Sequence, residues 1–438
     1  MIRHLEELKL ITRPDAETVD GHPLVREHFG AALEKNFPEA WKQAHSRLFD
    51  HFCAIPDRDQ PDGEAGLLPL YQSLHHGVAA GRAQEALDDV YYWRISHGGE
   101  AHGVKKLGLF STELAALAAF FPGGWQAPVQ EVASSDQGYL SNSAGFCLRA
   151  LGRLKEAQIP FERNLALYKK LDDHLRSAFD SNNLSEVLLV SGEFQTALER
   201  ANDAVSFIDR TEDKYRQSSY RAAQAHVLAT QGKTREAKVL FEDAEQRQIQ
   251  GNPTLPYLYS VHGFLYISFL LRAAPPSALP GLAERAQAAL EDAVRNDQLL
   301  SIGLDRLSLA RIAALAGDEN TPAKLDAAIA ALQRSGQRDE IPRSYLARAG
   351  FRRAQGDLDG AWKDLVQVRY IAEPSGMRLH LCDALIEEAW LHHDAGHAEK
   401  ARVAFDQAEA EVNDMGYHWQ DPELDKLRQE LKPCGPAA

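Results

Sequence analysis

Cysteine is scarce in this chain: four in 438 residues, at Cys53, Cys147, Cys382 and Cys434. No two form a CxxC pair, and a chain of this length does not depend on disulfide staples. A disulfide-built fold is therefore excluded, and a reducing cytoplasm is the expected location. Long apolar runs are missing as well. The stretches Glu113–Phe121 and Tyr266–Leu271 fall well short of a membrane span. The N-terminus reads MIRHLEELKL, with Glu6 and Glu7 where a signal peptide would be apolar. The formal charge is −15, and an excess of negative charge weighs against nucleic acid as a partner. No segment shows the sustained alternation of a strand, which excludes a sheet architecture.

Catalytic and metal motifs are equally thin. No HExxH, GxSxG, GxGxxG or Ser-x-x-Lys constellation occurs. Gly232-Lys233-Thr234 ends like a phosphate-binding loop, but Val227 stands where that loop needs its first Gly. Asp57-x-Asp59 opens like a calcium loop, but Pro61 and Leu68 occupy ligand places, so a solvated loop is expected. His393 and His397 have a metal-compatible spacing, yet Gly396 interrupts the shared helix face. They, His392 and the His75-His76 pair are read as surface histidines. The expectation is a protein that is not an enzyme and carries no cofactor or metal.

What is present is a repeat. Gly152-Arg-Leu-Lys-Glu-Ala157, Gly192-Glu-Phe-Gln-Thr-Ala197 and Gly232-Lys-Thr-Arg-Glu-Ala237 follow one another at intervals of 40 residues. Gly356-Asp-Leu-Asp-Gly-Ala361 and Gly396-His-Ala-Glu-Lys-Ala401 repeat the motif, again 40 apart. Gly317 opens a looser copy, with Ala323 one place late. The Gly ends a first helix in the left-handed conformation that costs Gly nothing. The Ala lies on a second helix where two axes cross closely. Small residues also stand seven places before each Gly: Gly145, Ser185, Ala225, Ala310, Ala349 and Ala389. Ala204, Ala244 and Ala408 follow twelve places after it. The helical period is visible in Leu282, Ala286, Ala289, Leu290 and Val294. One unit, Tyr257–Ala293, is degenerate and interrupted by Ala273-Ala-Pro-Pro-Ser-Ala278, which predicts a distortion there.

The small-residue motifs from about Gln137 to Tyr417 resemble the tetratricopeptide repeat, whose usual period is about 34 residues. Here the period is 40 residues, so each helix of a pair is longer by about three residues, or about one turn. The resemblance implies an all-α fold: a right-handed superhelical solenoid of about seven helix pairs over residues 131–438. Before it, residues 31–130 read as a helical connector, and 1–30 as a winged-helix remnant with candidate strands Leu10–Arg13 and Glu17–Val19. The string His22-Pro-Leu-Val-Arg-Glu-His-Phe29 resembles a helix of the NB-ARC and NACHT signalling ATPases, where it precedes a repeat sensor. Lys105-Lys-Leu-Gly-Leu-Phe110 resembles a connector segment of such bacterial ATPases.

In a solenoid of this kind the first helix of each pair lines the concave wall. Counting from the repeat glycines places Asn142, Phe146, Arg149, Asn182, Asn183, Glu186, His226, Arg311, Arg353, Trp390 and His393 on that wall. Asn and Arg suit a peptide backbone and its carboxylates. The resemblance implies a protein or peptide ligand in this groove and the ATPase core of a parent protein as a further partner, in bacterial defence or programmed cell death. A free-standing adaptor and a winged-helix transcription regulator are the alternatives, the latter disfavoured by the acidic charge.

Overall fold

The computed structural model describes residues 2–13 and 20–431. The chain divides into two compact units. The first comprises Met1–Gly99 with Val129–Ala133, the second Glu100–Pro128 with Ser134–Ala438.

In the first unit, helix α1 (Ile2–Glu7) leads to a minimal antiparallel pairing of β1 (Ile11–Thr12) with β2 (Asp20–Gly21), Ile11 opposite Gly21. β1 falls within the expected Leu10–Arg13 strand. The Glu17–Val19 strand lies outside the described residues. Helix α2 (Pro23–Asn36) starts on a proline, and its Leu24 N–H donates to His22 Nδ1 at 3.3 Å. Helices α3 (Pro38–Ala54) and α4 (Glu64–Ala79) pack together; α5 (Ala83–Glu85) runs directly into a π-helical stretch, Ala86–Ile95. Phe49, Leu70, Leu74, Leu87, Tyr91 and Ile95 form the core. The close approach needs Gly77, where a Cβ would lie 2.7 Å from the Ala86 methyl. The loop after α3 is tied down rather than merely solvated. Trp93 Nε1 donates to Asp59 at 2.8 Å, and Arg94 donates to the Cys53 carbonyl at 2.8 Å.

The second unit begins with short helices α6 (His102–Lys105) and α7 (Phe110–Leu117). Seven consecutive helix pairs follow. They are α8 (Ser134–Ala150) with α9 (Leu154–Lys170), α10 (His174–Val190) with α11 (Phe194–Ile208), and α12 (Lys214–Thr230) with α13 (Thr234–Gly251). Then come α14 (Ser260–Leu271) with α15 (Leu279–Arg295), α16 (Leu299–Ala316) with α17 (Thr321–Ser335), α18 (Ile341–Ala354) with α19 (Leu358–Ala372), and α20 (Arg378–Asp394) with α21 (Ala398–Met415). Helix α22 (Asp421–Glu430) follows the last pair. No described helix is long and apolar enough to cross a membrane.

The turns inside the pairs repeat one design. Gly152, Gly192, Gly232, Gly317, Gly356 and Gly396 all have φ between +72° and +84°. The residue after each closes a bond back over the helix end, as in Arg153 N–H to the Leu148 carbonyl at 2.9 Å. Asp173 and Asp213, one period apart, cap α10 and α12 by accepting from Arg176 and Arg216 N–H at 3.0 and 2.9 Å. The small residues predicted at crossings are buried: Ala157, Ala197, Ala237, Ala361 and Ala401 are all fully inaccessible. At Gly145 a Cβ would meet the Phe161 ring at 2.7 Å.

Two local expectations need correction. In the fifth pair the motif runs one place early, not late: Thr321 is fully buried at the crossing and Ala323 is exposed. Helix α17 starts four residues after its Gly, against two in the other pairs of the motif, with Pro322 in its first turn, and this shifts its register. On α15 the inward face is Leu282, Ala286, Ala289 and Ala293, while Val294 is 50% exposed. The degenerate fourth unit is distorted as anticipated. Its first helix, α14, has 12 residues against the 17 of α8, α10 and α12, and Ser260 at its start has φ +58°.

Candidate functional site

The array folds back on itself. Arg338 N–H, before α18, donates to the Ala150 carbonyl at the end of α8 at 2.6 Å. A Cβ on Gly152 would lie 2.4 Å from Ser375 Oγ, on Gly192 2.5 Å from Met415 Sδ, and on Gly232 2.8 Å from the His418 Cβ. Phe194 meets Tyr417 edge-on at 5.2 Å. The turns of the first three pairs are thus seated against the sixth and seventh pairs and the segment before α22. The first helices consequently face a lined interior.

Two cavities occupy that interior. The smaller, about 50 Å³, is lined by Arg149, Glu186, His226, Asp339, Glu340 and Arg343. The larger, about 240 Å³, shares His226 and Arg343 with it and adds Arg311, His380, Asp383, Tyr417 and Trp419. Arg149 pairs with Glu186 and lies 3.3 Å from Asp339. Asn182 donates to the other Glu186 oxygen at 2.9 Å. Arg343 donates to Glu340 at 2.6 Å, and His380 Nε2 approaches the Asp339 carbonyl at 3.0 Å. Gln420 donates to Asp383 at 2.6 Å.

Desolvation governs the charges here. Burial, only partly opposed by Arg149, raises the Asp339 carboxyl well above the usual range. Asp383 is pushed up to about 6 by burial. Burial, with Arg343 nearby, lowers His226 to about 3 and His380 to about 4, so both rings are neutral at pH 7. His226 Nε2 and His380 Nδ1 are buried with no hydrogen-bond partner among the described residues. Arg311 donates to Ser268 Oγ at 2.8 Å, and burial, reinforced by Arg343, lowers it to about 10. Among the described residues, no carboxylate pairs with Arg311.

Eight of the eleven wall residues expected from the sequence fall into three groups. Arg149, Asn182 and Glu186 form one bonded cluster, and His226 and Arg311 line the larger cavity. Arg353, Trp390 and His393 gather elsewhere, on α18 and α20. There Arg353 donates to Glu387 at 2.6 Å and Asp394 at 2.8 Å and covers the Trp390 ring at 5.4 Å. His393 meets Trp390 edge-on and Asp394 at 3.1 Å, while His392 packs beside Trp362. Asn142 donates to Asp180 at 3.3 Å, and Phe146 packs on Phe110. Asn183 is half-buried on α10.

Asp339, Glu340, Arg343, His380, Asp383 and Tyr417 were not anticipated. Asp339 and Glu340 stand in the loop before α18, outside the counting rule, and Tyr417 comes after the last repeat. Their one sequence signal is charge beside a helix-starting proline, in Asp339-Glu-Ile-Pro-Arg343.

A tetratricopeptide repeat family matches residues 138–209, the first two pairs. Those two pairs carry the tetratricopeptide repeat, and the later pairs repeat their helix–turn–helix design. The chain is also similar to a Rap protein, solved in complex with the competence and sporulation factor. Identity is 12% and the TM-score 0.40, over 90% of this chain and 98% of that one. No curated protein matches the chain. Stacked helix pairs of this kind present the extended surfaces on which repeat scaffolds bind other proteins.

Proposed function

We propose that the tetratricopeptide array recognises a protein or peptide that presents a carboxylate to its interior, and that it acts as the sensor region of a NACHT- or NB-ARC-type signalling ATPase. The observation that carries the first part is Arg311, a guanidinium facing a 240 Å³ cavity with a serine hydroxyl as its bonded neighbour. A desolvated guanidinium gains most from a planar oxyanion that takes its fork. His226 and His380 offer two further nitrogens in the same cavity. The reading assigns no reaction to the chain.

The sensor assignment is supported by the His22–Phe29 resemblance. That string forms the first half of α2, a helix with no buried residue. Leu24, Phe29 and Phe37 are 69%, 63% and 63% exposed, apolar side chains on and just after α2 that a neighbouring domain such as an ATPase core could cover. An adaptor would use the same interior, since the family match lies wholly within the array.

A peptide array with free and amidated C-termini would be probed with the purified chain, and captured peptides retested on Arg311→Gln. Loss of roughly thirtyfold or more in affinity is expected, since truncating one partner of a buried charge pair costs about 2 kcal/mol or more. Unchanged affinity sinks the carboxylate reading. Adding a captured peptide to the ATPase encoded at the source locus should alter ATP turnover. Simultaneous capture of two proteins with no effect on turnover would favour the adaptor.

A further inference from the structure

A cluster of imidazoles lies away from the array, in the first unit. His45 on α3 and the adjacent His75 and His76 on α4 bring one ring nitrogen each within 4.8 Å of one another. His45 Nδ1 and His76 Nδ1 are 2.9 Å apart. Nitrogens bound to one tetrahedral zinc ion at about 2.0–2.1 Å stand about 3.3 Å from each other, so small side-chain rotations complete the triad. We propose that His45, His75 and His76 form a three-histidine site for a divalent transition-metal ion, zinc foremost, with a fourth position open to solvent.

Three further observations support the site. The rings are held in place: the Trp41 ring centroid lies 4.0 Å from that of His45, and Phe52 stacks on His76 within 4° of parallel. Locked rotamers lower the entropic cost of coordination. Burial also works against the charged form of two of the rings. Burial, then the two neighbouring imidazoles, lowers His76 to about 4, and burial followed by His75 lowers His45, with Glu34 opposing. A neutral imidazole is the ligand form, so the burial of these two rings favours the state that takes a metal. Access is graded as well, with His45 6% exposed at the base and His75 exposed at the mouth. Imidazole donors without thiolate or carboxylate suit zinc, copper or nickel rather than calcium or magnesium. Neighbours at i, i+1 are not a metal spacing on a helix, and the third donor is 30 residues away, which hides the triad in the sequence.

The test uses the full chain without an affinity tag, stripped with EDTA and dialysed against zinc. Bound metal is counted by mass spectrometry, and cobalt substitution is followed by visible absorption. One zinc per chain and a tetrahedral cobalt spectrum are expected. His75→Ala, at an exposed position that leaves the fold intact, should weaken zinc binding beyond the roughly 10–100-fold that loss of a second-shell partner costs. His76→Ala should do the same. His51→Ala, on the exposed face of α3, should bind as the parent does. Absence of stoichiometric zinc overturns the proposal. So does zinc held equally well by His75→Ala and His76→Ala, which would place the ion elsewhere.

Discussion

Single residues in the array carry two kinds of constraint. The turn glycines all need a left-handed backbone, which costs a non-Gly residue about 1–2 kcal/mol. Gly192 bears a second burden, because its missing Cβ leaves room for Met415 Sδ and the Arg378 Cβ. Gly356 has open space around it. Gly192→Ala should therefore destabilise by at least about 1 kcal/mol more than Gly356→Ala in urea unfolding. Equal losses would mean that the contact between early and late pairs is not made. Asp180 poses an electrostatic test. Burial pushes its carboxyl up to about 8 from 3.8. A raised carboxyl pKa means the folded state holds the proton more tightly than the unfolded chain. Its stabilisation is thus complete below about pH 4 and is lost as pH rises through about 8. Hydrogen bonds from Asn142 and Asn164 favour the charged carboxylate, and burial outweighs both. Asp180→Asn should be the more stable protein near pH 9, by about 1–3 kcal/mol, with little difference near pH 4. A less stable variant at the higher pH would refute the assignment.

At the scale of the element, the sequence pattern carried the pairs and their turns because both are local. A Gly at C′ and an Ala at the crossing act within a few residues, and both left a 40-residue period. Where the local rule changed, so did its reading. The fifth pair has Pro322 at its helix start, and the crossing moved to Thr321. The consequence is measurable. Ala323→Glu, on an exposed place, should change stability by less than about 0.5 kcal/mol. Ala225→Leu, at a fully buried crossing, should cost about 1–3 kcal/mol from overpacking. Similar effects from the two would restore the register expected from the motif.

Across the whole array, the interior couples distant pairs through buried, uncharged histidines. His226 is lowered to about 3 and His380 to about 4, in each case chiefly by burial. For a lowered pKa the stabilising contribution is complete above about pH 6.5 and is lost as pH falls toward the folded value. These histidines on their own withdraw stability between about pH 6.5 and 4, opposite to the raised carboxyls, so His380→Gln should gain melting temperature relative to the parent as pH falls through that window. A variant that tracks the parent would show that the interior stays dry and closed for other reasons. Hydrogen exchange on α10 and α20, which touch in the closed array, would report any loosening directly.

The sequence by itself determined the helix pairs, the turns between them, the small-residue crossings and which helices face inward. Each of these follows from residues a few positions apart, and a repeat states the rule many times over. What only the tertiary structure decided is what the inward faces meet. Arg149 found Asp339 nearly two hundred residues away, and Tyr417 closed a cavity begun at His226. His45 joined His75 and His76 across two helices. Such meetings depend on the small rotation accumulated from one pair to the next, and no local motif encodes that sum.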